Sequence, residues 1–356
     1  MPGPPSPPSA RCSRSLYRMT VFVQPISVSR ARAHRSLLSR RWGCVPLCAK
    51  NKRPARVCIV SQVSSNARGD RAKAFNLIRL MACDMDGTIL NASTDISERN
   101  KQAVRRLLDE TDVMFVPATG KSRAGALKSM ADVGDYLNDR NPGGCPGVYL
   151  QGLIVFGENG DVVYENKCAD MLAQRTVDIA KELGLSLIAY SRDDILCERT
   201  DKFVDLIPSY KEPSPLAIGD WGDAIGKRPL NKFIYMAEPS HIDEIRPIVA
   251  ERIGNLGHLT QAQSNMLEVL PPNASKGNGV RRLLNSLQIA PEHVMAIGDA
   301  ENDLEMLEMV GFSCAVANAL PSVKKVAKYT DFSSNVDDGV AEAIEQFFLS
   351  RVNVPR

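Results

Sequence analysis

The residues best suited to chemistry are two aspartates at the end of an apolar run, Asp84 and Asp86 in "LIRLMACDMDGTILNAS" (77–93). Gly87 and Thr88 follow at once, a pairing that a buried strand would not tolerate without a use for the carboxylates. Polar side chains end similar runs elsewhere. Thr119 and Gly120 close "VMFVPATG", while Asp299, Asn302 and Asp303 follow "HVMAIG". Lys276 stands where "PPNAS" leads into a helical pattern, beside a helix N-terminus suited to anions. Carboxylates grouped with a hydroxyl, a free backbone amide and one lysine fit a divalent cation plus a phosphoryl group. Hard oxygen ligands select magnesium, which binds through a few carboxylates and the phosphate. An aspartate can also be a nucleophile, so one of the pair would attack and the other would handle protons.

These side chains meet only if strands carry them to one edge. Short β-rich runs alternate with helical patterns: "NLIRLMACD", helix "SERNKQAVRRLLDE" with Ser97 as N-cap, "VMFVPATG", helix "SRAGALKSMADVGDYL", then "GVYLQG". The rhythm returns near the C-terminus with "HVMAIGD", helix "AENDLEMLEMVG", "FSCAVAN" and two further helices. Alternation of this kind predicts an α/β fold, a parallel sheet with helices on both faces. Ligands bind such sheets at the carboxyl ends of the strands, where Asp84, Asp86, Thr119, Gly120, Asp299, Asn302 and Asp303 fall.

The middle breaks the rhythm. After a hairpin turned at Asn159-Gly160, residues 168–265 read as a helix, two strands, a Pro-rich loop, another strand and another helix. That pattern predicts an α+β module inserted into the parallel domain. The expected organisation is a leader over 1–69, a parallel core over 70–167 and 266–356, and the insertion over 168–265. The loop from 208 to 230 is expected to be the most mobile piece.

Charge divides the chain in the same place. Residues 1–69 hold eleven Arg and two Lys but no Asp or Glu, and taking these thirteen from 44 leaves 31 basic against 41 acidic side chains in the rest. An Arg-rich, Ser-rich, acid-free start is the composition of an organelle-targeting peptide. Early prolines disfavour the amphipathic helix of a mitochondrial signal, so the plastid stroma is expected ahead of the mitochondrion. The acidic body argues against a nucleic-acid partner, and no stretch approaches the roughly 20 apolar residues of a membrane span. Cys83, Cys145, Cys168, Cys197 and Cys314 are scattered without metal-ligand spacing. "GDAIGKRP" is one residue short of a phosphate-binding P-loop, and Arg228 replaces the required Ser or Thr.

Taken together, "DMDGT", "ATG", Lys276 and "GDAEND" resemble, in order, the four motifs of the haloacid dehalogenase (HAD) superfamily. The large insertion between the second and third motifs is similar to the Cof-type branch with an α+β cap. The resemblance covers about residues 77–350 and implies a HAD-like Rossmannoid core. It implies Asp84 as nucleophile and Asp86 as general acid, then base. Thr119, the Gly120 amide and Lys276 would hold phosphoryl oxygens. Asp84, the Asp86 carbonyl and Asp299 would ligate Mg2+, with Asn302 and Asp303 in support. Two departures stand near the expected substrate entrance: Lys121 where Arg is usual, and Gln151-Gly152-Leu153 where many members carry Asn-Gly-Ala.

The expected activity is a magnesium-dependent phosphomonoesterase acting on a small phosphorylated metabolite, such as a sugar phosphate or the cofactor phosphates pyridoxal phosphate and flavin mononucleotide. Tyr190, Tyr210 and Trp221 are candidates for shaping its pocket, each equally open to a packing role in the cap. The alternatives are a phosphomutase of the same superfamily and a catalytically silent regulator that binds a phosphorylated ligand. The oligomeric state is left open.

Overall fold

The structure is a computed structural model that describes residues 77–349 except 142 and 262. The leader expected over 1–69 lies outside the described residues. Along the chain the strands are β1 (Leu80–Cys83), β2 (Met114–Pro117), β3 (Gly147–Tyr149), β4 (Ile154–Phe156) and β5 (Val162–Glu165). There follow β6 (Ser186–Ser191), β7 (Asp194–Cys197), β8 (Leu216–Ala217) and β9 (Lys232–Met236). Last come β10 (His258–Thr260), β11 (Met266–Leu270), β12 (Val294–Gly298) and β13 (Phe312–Ala315).

The core sheet is parallel, in the order β13-β12-β1-β2, with Leu80 opposite both Val294 and Met114. All four residues of β1 are buried, as a central strand covered on both faces requires. A parallel bridge from Ala118 to Val148 extends the sheet towards β3, which pairs antiparallel with β4, and β4 with β5. Helix Glu98–Glu110 starts at Ser97, whose hydroxyl accepts the Asn100 amide as expected of an N-cap.

The helix expected over 122–137 is two helices, Arg123–Ser129 and Asp132–Asp139. The chain breaks at Ala131 (φ 50°), and Gly134 then approaches the end of the first helix so closely that a Cβ there would meet the Leu127 carbonyl oxygen at 2.1 Å. Apolar periodicity runs through the break, so the pattern alone reads as one helix.

The inserted cap is a six-stranded sheet, β10-β11-β9-β6-β7-β8, with helices Asp170–Leu183 and Pro239–Ile253. Strand β11 pairs antiparallel with β9, so this sheet runs to Leu270 rather than ending near residue 265. "MLEVL" lies against the Pro-Pro of the return to the core, and its sheet membership depends on a partner 30 or so residues away.

The segment 208–230 makes contacts with the rest of the cap. Leu216–Ala217 pairs with β7, and Trp221 is buried, its ring 5.7 Å from that of Phe233. Trp221 therefore belongs to the cap's own core. Trp221→Ala should cost about 3–5 kcal/mol of stability, measurable by denaturant unfolding, without changing the residues that bind substrate. Among the described residues no helix is long and apolar enough to cross a membrane.

Candidate active site

The expected site residues come together at the carboxyl ends of β1, β2 and β12 and at the start of helix Lys276–Leu287. Asp84 follows β1 and is 3% exposed; Lys276, the first residue of its helix, is 1% exposed. Their side chains meet at 2.5 Å, and Lys276 Nζ also reaches Asp303 Oδ1 at 2.8 Å. Ser275 caps this helix by accepting the Asn278 amide, which fixes where Lys276 enters.

Asp303 Oδ2 accepts the amides of Asp299 and Ala300 at 3.0 and 3.1 Å. Thr88 donates to Asp299 Oδ1 at 2.8 Å and lies 3.3 Å from Asp84 Oδ2. Gly87 (φ 81°) permits that approach, since a Cβ would lie 2.5 Å from Asp299 Oδ2.

Burial pushes the Asp84 carboxyl well above the usual carboxylate range; Asp303 adds to the rise and Lys276 opposes it. Burial raises Asp299 too, with the Thr88 hydroxyl working against it. Burial disfavours the Lys276 ammonium, but Asp303 and Asp84 outweigh it and lift the lysine above its ordinary value. Asp84, Asp299 and Asp303 each offer a carboxylate oxygen within 4.8 Å of the others. Three carboxylates against one lysine are short of positive charge, and their hard oxygens fit a divalent cation.

The remaining expected residues line or frame a cavity of about 820 Å³ between core and cap. Asp86 is exposed into it and meets Lys121 Nζ at 3.3 Å. Thr119 is buried and accepts the Lys121 amide on its hydroxyl, while Gly120 faces the cavity. Asn302 Nδ2 donates to Gln151 Oε1 at 3.1 Å. Of the three aromatic candidates, Tyr190 and Tyr210 line the cavity and Trp221 does not.

The cap grips the loop after β2 through contacts that sequence reasoning missed. Lys232 donates to the Gly120 carbonyl at 3.0 Å and to Glu268 Oε2 at 2.9 Å, with the Tyr190 ring 4.7 Å away. Glu212 accepts both the Ser122 amide (3.1 Å) and hydroxyl (2.5 Å). Burial raises the Glu212 carboxyl, against the hydrogen bonds from Ser122 and the charges of Lys121 and Lys232. Lys121 Nζ reaches the Tyr210 carbonyl at 3.0 Å. A lysine opening an apolar strand in "NKFIYMAE" and a glutamate inside "MLEVL" were the available signals, since neither belongs in a buried strand without a partner.

Residues 81–344 match the haloacid dehalogenase-like hydrolase family (Hydrolase_3). The chain belongs to that family. It is 38% identical over 271 residues to "Endoribonuclease YBEY, chloroplastic" of Arabidopsis thaliana, a match over 74% of this chain and 46% of that protein. The chain thus spans about half the length of that relative. It is 24% identical over 276 residues to the 5-amino-6-(5-phospho-D-ribitylamino)uracil phosphatase YitU of Bacillus subtilis, covering 76% of this chain and 97% of that one. A crystal structure of a haloacid dehalogenase-like hydrolase from Bacteroides thetaiotaomicron superposes with a TM-score of 0.68 at 26% identity, covering 76% of this chain and all of the other.

Proposed function

We propose that the chain is a magnesium-dependent phosphomonoesterase that hydrolyses a small phosphorylated metabolite through an aspartyl-phosphate on Asp84. The observation that carries this reading is the buried Asp84 carboxylate, 2.5 Å from Lys276, at the floor of a cavity sized for a small ester.

In the first step an Asp84 oxygen attacks phosphorus, the bond from phosphorus to the leaving oxygen breaks, and Asp86 gives that oxygen a proton. In the second, Asp86 takes a proton from water, the water oxygen attacks phosphorus, and inorganic phosphate leaves with Asp84 restored. The Thr119 hydroxyl, the Gly120 amide and the Lys276 ammonium hold the phosphoryl oxygens in line, preorganised before charge develops. Asp84, the Asp86 carbonyl and Asp299 would hold Mg2+, with Asn302 and Asp303 supporting. Bound there, the cation supplies charge neutralisation for the phosphoryl oxygens.

Sugar phosphates and cofactor phosphates fall within the proposed range, and the ribityl phosphate in the name of the B. subtilis relative is chemistry of this kind. The ribonuclease activity in the Arabidopsis name belongs to a protein that this chain spans only in part. A plastid location is supported by the chloroplastic name of that relative and by the acid-free, Arg-rich first 69 residues.

The test is inorganic phosphate release by the full-length protein from sugar, nucleotide, pyridoxal and flavin phosphates, with magnesium or with chelator. Release from one class, lost with chelator and restored by magnesium, is expected. Dependence on an added bisphosphate would instead indicate a mutase, and tight binding without turnover a silent regulator.

A further inference from the structure

Gln151 carries an amide that the two steps above do not use. It is 4% exposed and lines the cavity beside Gly120. Its Oε1 accepts the Asn302 amide, which turns Nε2 towards the loop after β2; a Cβ on Gly120 would lie 2.7 Å from that nitrogen. Among the described residues no acceptor pairs with Nε2, and because it is not one of the sealed side-chain atoms left without a partner, it opens on the cavity, where a bound ligand can reach it.

The backbone has been bent to put it there. Leu150 (φ 50°) and Gln151 (φ 59°) are consecutive non-glycine residues in the left-handed region. Conformations of that kind persist where the surroundings over-determine them, often at ligand clamps. Here the Gln151 amide donates to the Thr119 carbonyl at 3.0 Å and the Leu150 amide to the Lys121 carbonyl at 2.9 Å. Gly152 (φ 83°) packs so closely that a Cβ would meet the Ser275 carbonyl oxygen at 2.0 Å. The turn is therefore stitched both to the loop carrying Thr119 and Gly120 and to the N-cap of the Lys276 helix.

We propose that Gln151 Nε2 donates a hydrogen bond to a non-bridging oxygen of the bound phosphoryl group, and so is a further catalytic residue. The proposal rests on the phosphomonoesterase reading. A phosphate ester dianion offers only acceptors, and an amide held by Asn302 presents N–H donors with little left to reorganise. Being neutral, it adds no positive charge to compete for the Asp84 and Asp299 carboxylates. The leftover donor and the bent backbone share one explanation, a phosphoryl oxygen in the space beside Gly120.

The test is calorimetric binding of orthovanadate to the full-length protein in magnesium, comparing wild type, Gln151→Leu and Gln151→Glu. Gln151→Leu removes the donor and should weaken binding roughly tenfold, the loss of one hydrogen bond. Gln151→Glu keeps the size and shape but replaces the donor with an acceptor, and should weaken binding by roughly a hundredfold. Thermal midpoints close to wild type show that the fold is kept; should the Leu variant fail to fold, the near-isosteric Glu variant carries the test. Wild-type vanadate affinity in either folded variant would overturn the proposal. Absence of vanadate binding by the wild-type chain would overturn the phosphomonoesterase reading and this inference together.

Discussion

Asp84→Asn should abolish turnover, with kcat falling on the order of 10⁴-fold or more, as expected when the proposed nucleophile is removed from a group of residues that act as a unit. The fold survives, because the amide matches the carboxylate in shape and Lys276 keeps Asp303 at 2.8 Å as a partner. The sign of the stability change follows from linkage. The folded Asp84 carboxyl titrates above its unfolded value of about 3.9, so ionising it in metal-free protein costs stability as pH rises from there. Asn is free of that cost. In chelator, the variant should gain on wild type in thermal midpoint between acid and neutral pH, and converge with it at acid pH. Retained turnover would remove Asp84 from the mechanism.

Lys276→Met should cost stability and activity together. The lysine sits between two buried carboxylates, and removing one member of such a group leaves uncompensated charge, costing about 3–5 kcal/mol. Lys276 opposes the rise of the Asp84 carboxyl, so without the ammonium Asp84 takes up a proton more readily and the deficit should shrink as pH falls below neutral. Denaturant unfolding of both proteins at neutral and acid pH checks this. Where the variant remains folded it should still be inactive, since the proposed mechanism has Lys276 neutralise the phosphoryl oxygens. A deficit independent of pH would mean that packing, not charge, is what the lysine supplies.

The parallel core was legible because three of its four strands, β1, β2 and β12, run into polar residues. Asp84, Thr119 and Asp299 stand at those breaks, and Lys276 at a helix start behind Ser275. An apolar run that stops at a carboxylate is a local signal, and the sheet converts it into proximity. The cap's contribution was not legible in that way. Lys232 touching Gly120 and Glu212 touching Ser122 join residues 112 and 90 positions apart, and no local pattern encodes the pairing. The helix break at Ala131 was hidden for another reason: the backbone turns where the apolar spacing continues unbroken. Gln151 was visible only as a departure, and its inward amide depends on a left-handed backbone that a glutamine does not announce. For Trp221 the structure takes the packing alternative, which the sequence left open because a tryptophan in a Pro-rich stretch gives no sign of which surface it covers.

The central claim is that phosphorus passes through Asp84. It is tested most directly by acid-quenching the full-length protein during a single turnover of a 32P-labelled phosphomonoester, then digesting and mapping the label. The account predicts protein-bound phosphate that hydroxylamine removes, located on the peptide that contains Asp84. Phosphate release with no label on the protein at any quench time, or label on a different residue, would contradict it.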